Sequence, residues 1–149
     1  MTASLVAALH YLAAFVVFAT VFCEWLLFQR TPTLIEARRI QVCDAAYGIA
    51  AGVLVVAGLL RVYVYEKGSE FYFSNPVFFL KIGLFALAGL ISIYPTVQFI
   101  RWRKSTRAGQ APTVTERQHS LITLSLKAEL VCLIGIVVSA SLMAKGIGL

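Results

Sequence analysis

The sequence predicts an all-α fold, an integral membrane four-helix bundle with both termini on the outer, periplasmic side. Three observations point there. Of the 149 residues, 60% are apolar and only 13% are charged, with a mean hydropathy of +0.84, whereas a soluble domain carries roughly 45–50% and about 25%. Four apolar runs reach the ~20 residues needed to cross a hydrocarbon core. The cations, finally, collect in two of the connectors between those runs.

The spans fall near Ser4–Phe28, Ile40–Val62, Pro76–Ile100 and Ser120–Met143. The first run has no basic segment in Met1–Leu5 and is too long for the apolar part of a cleaved signal, so it reads as a retained helix. The connector Gln29–Arg39 carries Arg30, Arg38 and Arg39, and Arg101–Arg117 carries Arg101, Arg103, Lys104, Arg107 and Arg117. The connector Tyr63–Asn75 has only Lys67, and the C-terminal tail only Lys145. The positive-inside rule then puts the first two connectors in the cytoplasm, as in a multi-pass protein of a bacterial inner membrane. Tyr63, Tyr65, Phe71, Tyr72 and Phe73 in the outer connector suit an interfacial aromatic belt, or a lid over an outward-facing site. Asn75-Pro76 reads as the start of the third helix, with proline in its first turn. The polar stretch Ser105–Thr115 reads as a flexible cytoplasmic loop.

A length near 150 residues accommodates one domain, here a single transmembrane unit over residues 1–149. The net charge of +6 lies beside apolar runs and is accounted for by membrane orientation, so no nucleic-acid partner is expected. Cys23, Cys43 and Cys132 show no CxxC spacing and read as small buried apolar residues. The chain contains no GxSxG, P-loop, HExxH or Rossmann fingerprint.

Ionisable groups at membrane depth are costly and usually face the bundle interior, which makes them the best pointers to function. These are His10, Glu24, Asp44, Arg61, Lys81, Lys127 and Glu129. At ~1.5 Å per residue from each span's midpoint, His10 and Lys81 share a layer roughly 10 Å toward the outer side. Arg61 lies slightly further out, while Glu24 and Asp44 form a second layer roughly 12 Å toward the cytoplasm. His10, Val17 and Glu24, spaced by sevens, fall on one face of the first helix. Lys81, Ala88, Ser92 and Pro95 share a face of the third, where Pro95 is expected to kink the helix. Asp44, Gly48, Ala51, Val55 and Gly58 share a face of the second, and Gly48-x-x-x-Gly52 permits close approach of another helix.

Lys127 and Glu129 are separated by about 200° around the fourth helix, so only one can point inward. Glu129 is assigned to an interior face with Ser125, Ile136 and Ala140, and Lys127 to the headgroups. A carboxyl near the midplane must be paired, protonated or functional. His10 with Lys81 opposite could ligate haem iron, with Arg61 meeting the propionates, or the same basic groups could hold an anionic headgroup. His119 reads as interfacial.

The run from Leu9-His10-Tyr11 to Leu26-Leu27-Phe28, the connector Arg61-Val62-Tyr63 to Glu66-Lys67-Gly68, Phe79-Leu80-Lys81 and the ending Met143-Ala144-Lys145-Gly146 resemble a bacterial family of four-helix predicted membrane proteins with no assigned activity. More distantly, Leu9-His10, Leu80-Lys81 and Tyr94 through Arg101 resemble HemJ-type protoporphyrinogen oxidases and CopD-like membrane domains. That second resemblance implies His10 as an axial ligand to haem b, Lys81 as a second ligand or porphyrin contact, and Glu129 near that family's helix 4 acid. Phe79 and Pro95 stand where that family carries histidines, so what it implies is tetrapyrrole binding rather than the oxidase activity.

Three readings follow. In the first, a haem or other tetrapyrrole toward the outer side, held by His10, Lys81 and Arg61, serves electron transfer, and exchange with quinone or a porphyrin substrate would make the chain a haem-dependent membrane oxidoreductase. In the second, Glu24, Asp44 and Glu129 line the proton path of a small carrier, dimeric through the Gly48/Gly52 face. In the third, the chain is a structural accessory subunit whose charges pair its helices, Glu24 with Lys127 and Asp44 with Arg38 or Arg39.

Overall fold

The computed structural model describes residues 1–65 and 69–146, without the side chains of Ser69 and Phe71. Helix α1 spans Thr2–Leu27, α2 Leu34–Leu60, the short α3 Ser69–Phe73, α4 Pro76–Arg107 and α5 Glu116–Ala144. Beyond Leu60, α2 runs on through a π-helical turn at Arg61–Tyr65. Four helices are long and apolar enough to cross a membrane, and no strand occurs among the described residues. Lys67 and the side chain of Phe71 lie outside the described residues.

The long helices form an up-and-down ring in which α1 packs on α2, α2 on α4, α4 on α5 and α5 on α1. Connectors too short for a crossover make sequential helices neighbours. The outer surface is apolar: Phe15 and Ile49 are each 71% exposed, a surface suited to lipid and not to water.

Three helices extend further than expected, all at the end that carries the arginines. Helix α2 starts at Leu34 because Thr33 caps it: the Glu36 amide donates to Thr33 Oγ1, and the Thr33 amide donates to the Glu36 carboxylate at 2.8 Å. Thr115 and Gln118 build the same reciprocal box at the start of α5. Such a box satisfies two amide donors that a helix start otherwise leaves unpaired. Helix α4 runs past Ile100 to Arg107, so Ser105–Arg107 is helical rather than loop. Asn75 accepts from the Val77 amide at 2.8 Å and caps α4 with Pro76 in the first turn, as the sequence indicates. The helix is continuous through the buried Pro95.

Packing is uneven along the bundle axis. Val21, Ala37, Ile40, Phe99, Ile122 and Leu126 are fully buried, and all lie in the half nearest the arginine-bearing connectors. Phe28 stacks there on Trp102 and His119 and meets Phe99 edge-on, with ring centroids 5.3–6.1 Å apart. In the other half the buried positions on α1, α2 and α4 are mostly small, including Ala13, Ala50, Ala57 and Ala88. A second, smaller cluster of Val62, Tyr72 and Phe78, with Met143 beside it, lies at the end opposite the arginine-bearing connectors.

Several expected placements differ. Gly48 and Gly52 are exposed, with nothing within 4 Å of an added Cβ, while Asp44 is buried, so the face assigned to α2 divides between interior and surface. Ala140 is exposed, and Ser139 takes the buried position instead, its hydroxyl donating to the Gly135 carbonyl at 2.7 Å. Cys23 is exposed on the lipid-facing side of α1, Cys43 is half-buried and Cys132 is buried, all three free.

Phe99→Ala is expected to cost about 3–5 kcal/mol, since the ring is fully enclosed. Leu124→Ala, on the outer face of α5, should change stability by no more than about 0.5 kcal/mol. Reversible unfolding in mixed micelles measures both, and comparable losses would contradict the assignment of α5's faces.

Candidate functional site

The acidic layer is enclosed within the bundle. Glu24 on α1, Asp44 on α2 and Glu129 on α5 are 3%, 7% and 2% exposed. Each faces inward through helical phase: Glu24 follows Val17 and Val21 along one buried face, and Glu129 continues Ile122 and Leu126. Lys127, 200° from Glu129 on an ideal helix, is exposed, as the spacing requires. Glu24 lies within electrostatic reach of Asp44 and Glu129, so the three carboxyls occupy one neighbourhood.

Asp44 takes its hydrogen-bond partner from α4, with Arg103 at electrostatic distance. Thr96 donates its hydroxyl to Asp44 Oδ1 at 2.6 Å. Oε1 of Glu24 and Oε1 of Glu129 are buried without a hydrogen-bond partner. The pairs expected of a purely structural subunit are not formed: Arg38 donates to the Thr106 carbonyl at 2.9 Å, Lys127 points outward, and no salt bridge reaches any of the three acids among the described residues. The reason is geometric, since Arg38 lies nearly two turns from Asp44 and finds the end of α4 first. The described ion pair joins Arg30, between α1 and α2, to Glu116 at the start of α5 at 3.8 Å, exposed and therefore worth little. Among the described residues, no group of three or more His, Cys, Asp or Glu side chains is arranged to hold a metal ion.

Below the acids, toward the arginine-bearing end, the interior is closed. Gln41 donates to the Phe99 carbonyl at 3.0 Å and accepts from Thr106 at 3.2 Å. Gln118 donates to Gln98 at 3.4 Å, and the Phe28–Trp102–His119 stack fills the rest. Thr96, Gln41 and Tyr47 escaped the sequence reading because they carry no charge. Their signal was spacing: Tyr47 lies one turn from Asp44, and Thr96 one turn from Ser92.

The basic group sits at the opposite end. His10 lies in the α1–α2 seam, where its Nδ1 donates to the Leu54 carbonyl at 3.2 Å and a Cβ on Gly58 would come within 3.3 Å of its Cε1. Arg61 donates to the Tyr11 hydroxyl at 3.2 Å and lies 4.8 Å from that ring's centroid. Lys81 places Nζ 5.5 Å from the Phe78 ring centroid. Because α1 and α4 are diagonal in the ring, no helix seam joins His10 with Lys81.

A search of curated proteins finds no match, and neither does a search of solved structures. A family model described as "Predicted membrane protein (DUF2214)" matches residues 2–148. With its four membrane-length helices and a match over almost its whole length, the chain belongs to the DUF2214 family of predicted membrane proteins.

Proposed function

We propose that the chain is a small proton-coupled carrier in which Glu24, Asp44 and Glu129 take up and release protons inside the membrane. The observation that carries this reading is the acidic layer itself: three buried carboxyls from three helices that no salt bridge reaches among the described residues. Lipid offers such groups no compensation, and they are retained in spans where they handle ions, protons or substrate. The Thr96 hydroxyl holds Asp44, while Glu24 and Glu129 keep an oxygen uncommitted and able to exchange a proton. Four helices are few for alternating access, and a second copy docked on the exposed Gly48/Gly52 face would supply the rest.

His10 supports a second reading, haem b bound toward the outer side. A ligating histidine fixes its ring by donating the other ring N–H to a carboxylate or backbone carbonyl, and His10 makes that contact with Leu54. His10, Lys81 and Arg61 would hold the group, which would supply one-electron transfer toward a quinone or porphyrin partner.

Orientation belongs to the same proposal. Arg30, Arg38, Arg39, Arg101, Arg103, Lys104, Arg107 and Arg117 all lie at one end of the bundle, and that end faces the cytoplasm of a bacterial inner membrane, with the termini outside.

Each part has a direct test. In proteoliposomes carrying a trapped pH dye, Glu129→Gln should reduce proton flux at least tenfold, and unchanged flux rejects the carrier. Protein from haem-replete cells should show a Soret band that His10→Ala removes, and a colourless protein that also fails to take up added haem rejects the second reading. On spheroplasts, an impermeant maleimide should label Ala3→Cys and spare Ala111→Cys in a background lacking native cysteines; the reverse pattern inverts the topology.

A further inference from the structure

Between α2 and α4, on the outer side of the acidic layer, a lateral cleft of about 260 Å³ enters the bundle. Its walls are apolar, reaching Val17 on α1 and Leu133 on α5, and its polar groups are the side chains of Tyr47 and Ser92. Beyond the cleft α2 and α4 are stitched together at Asp44–Thr96, Gln41–Phe99 and Arg38–Thr106, and at its inner end Tyr47 and Ser92 come within interaction distance across the seam. Gly52 and Gly89 line it without side chains, and an added Cβ at either position would meet nothing within 4 Å.

Helical phase connects cleft and acids. Val17 and Glu24 are seven residues apart on α1, Tyr47 and Asp44 three apart on α2, Ser92 and Thr96 four apart on α4, and Leu133 and Glu129 four apart on α5. Each spacing stacks two side chains on one helix face. In every pair the second member lies nearer the arginine-bearing end. The acids therefore lie one to two turns beyond the cleft's inner end, behind its lining rather than in it. Tyr47 is within electrostatic reach of all three, and the buried Oε1 atoms of Glu24 and Glu129 have no partner there.

We propose that this cleft binds a lipophilic monocation, an aromatic quaternary ammonium or protonated amine that enters from the bilayer between α2 and α4 and points its charge toward Glu24 and Glu129. The inference rests on the carrier reading and names the class of its substrate. A hydrocarbon chain would fill the walls but leave the acids behind them without a counter-charge, and an anion would approach three acids. A cation with an apolar body satisfies both. The rings of Tyr47 and Phe85, both in the lining, add faces that attract such a charge. No Lys or Arg lines the cleft to oppose it.

The probe is benzyltrimethylammonium, and its control is neopentylbenzene, the same shape with carbon in place of the charged nitrogen. Equilibrium dialysis against the full chain in phosphatidylcholine nanodiscs should show saturable binding of the cation, which an equal concentration of neopentylbenzene does not displace. Glu24→Gln and Glu129→Gln should each weaken binding tenfold or more. Gly89→Leu, which fills the cleft without touching an acid, should do the same with an unchanged helical circular-dichroism spectrum. Absence of saturable binding to the unaltered chain overturns the site, as does displacement by the neutral isostere or a Glu24→Gln/Glu129→Gln double variant that binds within twofold of it. Dialysis needs no gradient, so binding without proton flux rejects the carrier and keeps the site, whereas flux without binding rejects the site and keeps the carrier.

Discussion

In hydrocarbon a hydroxyl or carboxyl finds partners only within the protein, and the bundle is organised by where those partners can be found. The seam between α2 and α4 is the clearest instance. Arg38, Gln41 and Asp44 follow one another along α2 at spacings of three, and each meets α4, at Thr106, Phe99 and Thr96 respectively. That ladder aligns the two hairpins, α1 with α2 and α4 with α5, at one end of the molecule. Large side chains then pack around it, and the interior closes.

Away from the ladder the same two helices have little to hold them together. Lipid tails are as apolar as Leu or Val, so solvent does not press helices together in a membrane, and association depends on close packing and hydrogen bonds. The small residues Ala51, Gly52, Ala88 and Gly89 leave space between α2 and α4, Tyr47 and Ser92 are the polar pair that faces across it, and a cleft remains. A soluble bundle with such a gap would lose more stability, because water rather than lipid would border it. The acids thus lie between the closely packed arginine-bearing end and a cleft whose lining stops short of them. A carrier requires that asymmetry in each of its states.

Much of this was legible in the residues. The four spans follow from apolar length, and the opposite fates of Lys127 and Glu129 follow from two residues of helical rotation. Asn75-Pro76 announces its helix as plainly in the sequence as in the structure. Thr33-Leu34-Ile35-Glu36 and Thr115-Glu116-Arg117-Gln118 announced theirs too, as capping boxes that hydropathy windows overlook because the first turns they begin are polar. The ion pairs expected for Glu24 and Asp44 did not form, because charge and depth restrict which groups can meet without deciding which helices are neighbours.

Composition, span length and helical period suffice to establish a membrane bundle of four helices, and to establish that Glu24, Asp44 and Glu129 turn away from lipid, since these depend on local chemistry and on rotation within one helix. The gathering of the three acids into one layer, the choice of Thr96 over an arginine as partner for Asp44, and the cleft above them depend on which helix faces cross and at what height. Those are properties of the packed bundle, because hydropathy reports how deep a residue lies in the membrane and carries no information about its azimuth relative to another helix.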